Sequence, residues 1–535
     1  MSNVSSIIKS IQDIMRKDVG VDGDAQRISQ LVWMFFLKIY DDREEEIELL
    51  EDDYQSPLPE HLRWRNWAAD PEGMTGDELS DFVNLQLFPT LKERLNIQST
   101  SNDEHAVNKA KRALLIHNIF EDAYNYMKSG TLIRQVINKI CEINFNNTQD
   151  RHTFGSIYEQ ILKDLQSAGN AGEFYTPRAV TQFIVNRVDP KLTETVFDPA
   201  TGTGGFLACA IDHKRDYYVK STKGEEKLQK SILGIEKKAL PHMLCTTNMI
   251  LHGIDIPTQI RHDNTLARPY KDWGKKDQVD VIVTNPPFGG MEEDGIENNF
   301  PANFRTRETA DLFMALIIKL LKNNGRAAVV LPDGFLFGEG MKTRLKQELL
   351  EKCNLHTIVR LPNGVFNPYT GIKTNILFFT KKPEKQWPAT EHIWYYEHPY
   401  PEGVTSYNKT KPMRFEEFEA EIDWWGDEED GFKTRKESEQ AWKVSIEEIA
   451  ARNYNLDIKN PHVGEQVNHD PVELLAEYNQ QQQAIQNLRD QLKGILVEAL
   501  TATDGGYAGA ASSKHQNGVK RKTNAKGARS VGATR

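Results

Sequence analysis

Apolar positions change their period along the chain, and each change marks an element type. Up to about residue 145 they recur at helical spacing. Ile7, Ile8, Ile11, Ile14 and Met15 share one face, and Leu31, Met34, Phe35 and Leu37 share the next, ahead of the acidic run Glu44-Glu45-Glu46. Turns at Ser56-Pro57 and Pro71-Glu72-Gly73 cut the region into short helices. Residues 1–145 are therefore expected to form a helical N-terminal domain whose role is packing.

From about residue 150, short β-rich runs alternate with helical ones. Expected strands cover Thr195-Val196-Phe197, Ile232 to Ile235, Val279 to Val283, Ala327 to Leu331, His356 to Val359 and Asn375 to Phe379. Expected helices cover Leu240 to Leu251, Leu312 to Leu321 and Met341 to Cys353. Strands apolar on both faces that alternate with helices indicate an α/β domain with a largely parallel sheet, placed at 146–440. Such sheets bind ligands beyond the carboxyl ends of their strands, so the loops that follow strands carry the interest.

After about residue 385 the chain turns polar and aromatic, with Trp394, Trp424, Trp425 and Trp442. A C-terminal helical region is expected over 441–502. Its Ile485, Leu488, Leu492 and Ile495 form a helical seam that suits either packing or a partner. The remainder, 503–535, is rich in Gly, Ala and Ser, with basic and no acidic residues from Gly505 onward. It reads as a disordered, solvated tail.

Composition narrows the class. With 39% hydrophobic and 27% charged residues the chain has a soluble protein's make-up, and no stretch approaches the roughly 20 apolar residues of a membrane span. Met1-Ser2-Asn3 opens no signal pattern, so the expected location is cytoplasmic. The four cysteines (Cys141, Cys209, Cys245, Cys353) form no CxxC pair, which argues against zinc or disulfides. None follows a proline, which argues against a cysteine nucleophile of the cytosine-C5 type. A net charge of −11 is awkward for a DNA enzyme that works alone.

Two loops carry the chemistry. Asp198-Pro199-Ala200-Thr201-Gly202-Thr203-Gly204-Gly205-Phe206 follows a strand and opens a helix, where glycines admit a ligand close to the backbone. Alone it also fits a dinucleotide site. Glu236 ends the next strand, where an acid can accept both hydroxyls of a ribose. Asp263 follows another short strand, and is either a loop cap or an acceptor for a cofactor's adenine amine.

The second loop is Asn285-Pro286-Pro287-Phe288, which closes the run Val281-Ile282-Val283-Thr284. Consecutive prolines fix the backbone and leave carbonyls free as acceptors. The Asn285 side-chain oxygen and the Pro286 carbonyl suit the two hydrogens of a planar amine, whose lone pair is otherwise delocalised. Phe288 offers a face for a flipped base. Such a transfer needs positioning and charge placement, with no metal and no general base. His252, His262 and His356 are accordingly given no catalytic part.

These two loops resemble the cofactor and catalytic motifs of S-adenosylmethionine-dependent amino-methyltransferases. Gly172-Glu173-Phe174-Tyr175-Thr176-Pro177-Arg178 resembles the segment that wraps the methionine end of the cofactor in that family, and the motif order is that of its gamma class. More narrowly the chain resembles the modification (HsdM-type) subunit of Type I restriction–modification systems. The supporting segments are Leu361-Pro362-Asn363-Gly364-Val365-Phe366, Lys373-Thr374-Asn375-Ile376-Leu377-Phe378-Phe379 and Asn453-Tyr454-Asn455-Leu456-Asp457.

The resemblance implies a Rossmann-like methyltransferase domain flanked by a helical N-terminal domain and C-terminal helices. It implies S-adenosylmethionine held by Glu173, Phe174, Tyr175, Thr176, Pro177, Arg178, Asp198, Thr201, Gly202, Thr203, Gly204, Gly205, Glu236 and Asp263. It implies methyl transfer to N6 of adenine in double-stranded DNA through Asn285, Pro286, Pro287 and Phe288. It further implies a specificity subunit that reads the sequence between two modification subunits, and a restriction subunit in the full complex. No Walker A sequence is present here. The competing readings are methylation of a protein glutamine or an RNA guanine amine, and a non-catalytic scaffold for a specificity subunit.

Overall fold

The computed structural model describes residues 3–98, 103–145, 158, 175–367, 370–408, 411–462, 482–483 and 485–493. The chain divides into two compact units, Met1–His462 and Val463–Arg535. In the second unit, residues 485–493 are helical, and Ile485, Leu488 and Leu492 are exposed. Ile495 and the expected tail over 503–535 lie outside the described residues.

The helical periodicity of the first 145 residues produces α1 (Asn3–Met15), α2 (Asp24–Leu50), α3 (Glu104–Phe120) and α4 (Gly130–Cys141), with shorter helices between α2 and α3. Local chemistry sets the starts of α3 and α4. Asp103 and Ser129 accept from the backbone N–H of Ala106 and Leu132, satisfying donors that a helix start leaves bare. Arg134 on α4 donates to the carbonyls of Trp67, Ala68, Asp70 and Met74, which pins the turn around Pro71 to the bundle. The bundle core runs on into Tyr175, Met243, Leu244 and Ile250, so helical and sheet regions share apolar packing.

The strands are β1 (Val196–Asp198), β2 (Ile232–Glu236), β3 (Ile260–His262), β4 (Val279–Thr284), β5 (Leu321–Pro332), β6 (Cys353–Arg360), β7 (Thr374–Lys381), β8 (His392–Glu397) and β9 (Ala441–Ser445). They form one sheet in the order β3-β2-β1-β4-β5-β7-β6-β8-β9. The first five run parallel, β7 is antiparallel between β5 and β6, β8 is parallel to β6, and β9 is antiparallel at the edge. Val281, Ile282, Val329 and Val330 are fully buried, as a sheet covered on both faces requires. The chain winds outward in both directions from β1 and β4, which places a crevice at the carboxyl ends of those two strands. Helices α5 (Arg178–Val188), α6 (Gly205–Tyr217), α7 (Ala239–Leu251), α8 (Thr309–Leu320) and α9 (Met341–Lys352) complete the layers.

All six expected strands are present, and the largely parallel sheet holds. The boundary expected at 440 does not coincide with the end of the sheet, because β9 begins at Ala441 and pairs with β8 as far as Ser445. The region that reads as polar and aromatic supplies both strands. Trp394, Tyr395, Tyr396 and Trp442 are all buried, and the Tyr395 and Trp442 rings stack at 5.3 Å. A strand buried on both faces shows no alternation, so pattern alone does not betray β8.

Candidate active site

The glycine-rich loop turns sharply after β1. Gly202 and Gly204 take positive φ values of 52° and 82°, and α6 begins at Gly205. At Gly204 a side chain would also stand 2.7 Å from the Cys245 sulfur of α7, so both backbone and neighbour demand glycine. Gly234 on β2 matters for a second reason: a Cβ there would come within 2.5 Å of the Thr201 methyl. The loop is thus clamped between β2 and α7.

Hydrogen bonds from less obvious residues hold the same loop. Thr265 donates to the Pro199 carbonyl at 2.6 Å, and Asn248 on α7 donates to the Thr203 carbonyl at 3.2 Å. Thr284 at the end of β4 donates to Asp198 Oδ1 at 2.7 Å, joining the two strand ends that flank the crevice. None of these three was expected from the sequence. The one available signal was a polar residue inside an otherwise apolar run, as in Thr246-Thr247-Asn248.

Two carboxyls face this loop. Glu236 accepts from the N–H of Gly202 and of Lys238, each at 2.9 Å. Asp198 is wholly buried; its Oδ1 is engaged by Ala200 N and Thr284, and its Oδ2 has no partner. Burial drives the Asp198 carboxyl up to about 7; the bonds from Thr284 and Ala200 oppose that rise and the charge of Glu236 adds to it. Burial also lifts Glu236 to about 7 against the pull of its backbone N–H partners.

The catalytic loop meets the wrapping segment directly. Asn285 Nδ2 donates to Thr176 Oγ1 at 3.0 Å, while Asn285 Oδ1 is buried without a partner. With its nitrogen turned to the hydroxyl, the amide leaves its acceptor free. Nothing among the described residues donates to the Pro286 carbonyl. Asp198, Thr201, Gly202, Thr203, Thr176 and Asn285 border one small cleft. Phe288, half-buried and edge-on to Phe366 at 5.9 Å, lines a larger cleft of about 700 Å³.

The other expected residues make contacts of their own. Tyr175 is buried in the helical core, and the Pro177 carbonyl receives the first N–H groups of α5. Arg178 donates to the Gly205 carbonyl and pairs with Asp212 at 3.1 Å, tying α5 to α6. Asp263 is exposed: its Oδ1 caps Asn264, while its own N–H donates to the Glu236 carbonyl. Glu173 and Phe174 lie outside the described residues. His252 pairs with Asp212, and buried His356 is pushed down to about 3 by burial.

Comparison with known proteins places this geometry. The sequence profile of the N-6 DNA methylase family matches residues 149–470, and that of the HsdM N-terminal domain matches residues 4–140. The methylase subunit of the Type I restriction enzyme EcoEI from Escherichia coli is 65% identical over 503 residues, covering 94% of this chain and 99% of that one. The chain belongs to the methylase subunits of Type I restriction enzymes. As a member of this family it is an adenine-specific DNA methyltransferase of the N6 class.

Solved Type I subunits carry the same fold. A modification subunit assigned to a type I restriction enzyme of Vibrio vulnificus is 42% identical, covers 87% of this chain and 98% of its own, and superposes with a TM-score of 0.75. A chain from a structure of type I complex assembly is 34% identical, covers 93% and 99%, and gives 0.73. The expected fold and family are borne out, and S-adenosylmethionine is the methyl donor that such a family uses.

Proposed function

We propose that this chain holds S-adenosylmethionine in the cleft between β1, β2 and β4, and methylates adenine N6 in double-stranded DNA through Asn285, Pro286, Pro287 and Phe288. The observation that carries the reading is the Asn285 amide, anchored through its nitrogen to Thr176 with its oxygen buried and unpartnered. A buried acceptor left unsatisfied is costly unless a ligand meets it, and an amine hydrogen does so.

The residues present fit the cofactor. Asp198 Oδ2 is a second orphaned acceptor in the same cleft, and Glu236 stands where a ribose diol is received. Asp263 has its Oδ2 uncommitted among the described residues, beside the Glu236 carbonyl that its N–H already meets. The loop from Thr201 to Gly205 supplies backbone N–H groups, while Tyr175, Pro177 and Arg178 shape the entry into α5. When bound, the cofactor supplies an electrophilic methyl group, so the protein has to orient the amine and need not generate a nucleophile. Asn285 and the Pro286 carbonyl hold the two amine hydrogens, and Phe288 stacks the extruded base, worth about 1–3 kcal/mol in comparable contacts.

A cationic ligand beside two acids that titrate near 7 makes binding pH-dependent. Both carboxyls sit near 7 when folded, against about 4 in an unfolded chain. Their contribution to folding is therefore complete below about pH 4 and is lost as pH rises through about 7. Cofactor binding runs the other way, because the ammonium and sulfonium favour ionised partners. S-adenosylmethionine affinity is expected to rise between about pH 6 and pH 8, with protons released on binding. Calorimetry in buffers of different ionisation enthalpy reads both, and a flat affinity across that range overturns the assignment.

The reading extends to the assembly. The net charge of −11 suits an enzyme whose DNA reading comes from a specificity subunit, with two modification subunits around it and a restriction subunit in the cleaving complex. No described helix is long and apolar enough to cross a membrane; the proposed work on DNA suits the cytoplasmic location expected from the sequence. The test is transfer of a labelled methyl to duplex DNA by this chain with its co-expressed specificity partner, followed by identification of the modified base. N6-methyladenine at one recurrent sequence is the expected product. Label on protein, RNA or cytosine sinks the proposal.

A further inference from the structure

The motif Asn453-Tyr454-Asn455-Leu456-Asp457 falls within the region 441–502 expected to form C-terminal helices. In the structure it is bound to the catalytic sheet instead. Asn453 and Tyr454 both take left-handed φ values, 54° and 59°, rare for residues with side chains. Such geometry persists where the surroundings over-determine it. Here they do. The fully buried Leu456 donates its N–H to the Leu336 carbonyl at 3.0 Å and accepts from Tyr395 Oη at 3.0 Å. Arg360, at the carboxyl end of β6, donates to Asp457 Oδ1 at 2.7 Å and to the Ile458 carbonyl at 2.9 Å.

What this segment grips is one wall of the Phe288 cleft. Leu336 belongs to the short helix Asp333–Phe337 that follows β5, and Asp333, Phe335 and Phe337 line the cleft together with Phe288. The Leu336 carbonyl also receives the buried ammonium of Lys346 at 2.7 Å. Asn375 donates to Asp333 Oδ1 at 2.6 Å, and the Arg360 guanidinium stands 3.9 Å from that same oxygen. One arginine thus faces both the wall and the strap that holds it.

We propose that Arg360 and Asp457 are positioning residues for methyl transfer: through Leu456–Leu336 and Asp333 they hold the Asp333–Phe337 wall at the spacing from Phe288 that an extruded adenine needs. The proposal rests on the reading of the Phe288 cleft as the base site. Arginine is required because a planar fork reaches both Asp457 and the Ile458 carbonyl, which a lysine ammonium cannot do with the same geometry.

The test uses the full chain with its specificity partner and duplex DNA carrying 2-aminopurine at the target adenine for binding, or adenine for turnover. Asp457→Ala and Arg360→Lys are expected to lower kcat by about 10²-fold, as misplacement by an ångström does, and to alter the 2-aminopurine fluorescence of the complex. Asp457→Asn keeps an acceptor for Arg360 and is expected to recover most of kcat. S-adenosylmethionine affinity should match wild type in all three. Wild-type kcat in Asp457→Ala and Arg360→Lys overturns the proposal, and so does a parallel fall of kcat and cofactor affinity, which marks general loosening. Phe288→Ala separates the two readings. If it slows transfer while the Arg360 and Asp457 variants do not, the positioning claim alone falls. If it leaves both turnover and fluorescence unchanged, the base-site reading falls and this proposal with it.

Discussion

Asn285→Ala is expected to leave S-adenosylmethionine bound at wild-type affinity and to cut methyl transfer by about 10²–10³-fold, the loss seen when one preorganised polar group is removed from a reacting centre. The reason lies in what Asn285 is and is not asked to do. Its nitrogen is committed to Thr176, so the side chain does not swing. Its buried oxygen has no protein partner to lose, so alanine removes an acceptor that matters only when the amine is present. Asn285→Asp sharpens the test. A carboxylate still accepts an amine hydrogen, and the Thr176 hydroxyl can turn to donate to it, so this variant should fall between wild type and alanine. Single-turnover transfer of labelled methyl, with cofactor affinity measured on the same preparations, reads both effects. Equal rates in wild type and alanine would falsify the catalytic assignment, whereas a loss of cofactor affinity would move Asn285 from the amine to the cofactor.

Much of this site was legible because its chemistry needs residues that pattern reading notices. Glycines at Gly202 and Gly204 are forced by positive φ, and an acid at the end of β2 stands out against an apolar strand. The two prolines after β4 break a buried run. The support was less legible. Thr265, Asn248 and Thr284 act through single hydrogen bonds across about 45–86 residues of chain, and nothing local marks a threonine that will donate to a distant carbonyl. Arg178 is a similar case. Its place in the wrapping segment suggests contact with the ligand, and nothing in the sequence signals that it also donates to the Gly205 carbonyl and pairs with Asp212. In the fold, β8 escaped because an aromatic strand buried on both faces carries no period of two, and β9 because its alternation, Trp442 and Val444 buried against exposed Lys443 and Ser445, runs over too few residues. The Asn453–Asp457 motif was visible as a motif, but its place against Leu336 and Arg360 depends on tertiary contacts alone.

The two carboxyls share more than a neighbourhood, and that makes Glu236 the second informative position. Glu236→Ala is expected to weaken S-adenosylmethionine binding by about 10²-fold or more, since charge-assisted bonds contribute about 1.5–3 kcal/mol each and 1.4 kcal/mol is tenfold in affinity. Part of that loss is direct, from the ribose hydroxyls. Part is indirect, because Gly202 N and Lys238 N lose the acceptor that shapes the glycine loop. Glu236→Gln divides the two. Its carbonyl oxygen can keep one of those N–H groups, but its NH₂ must then face the other, donor against donor. The glutamine should therefore bind the cofactor more tightly than alanine and more weakly than wild type. Both variants remove a negative charge that raises the Asp198 carboxyl, so Asp198 should ionise at lower pH and the rise of affinity with pH should shift downward. At saturating cofactor, turnover should recover toward wild type, the opposite of the Asn285 result. Calorimetry showing undiminished affinity in Glu236→Ala would remove this residue from the cofactor site, and an unshifted pH profile would uncouple it from Asp198.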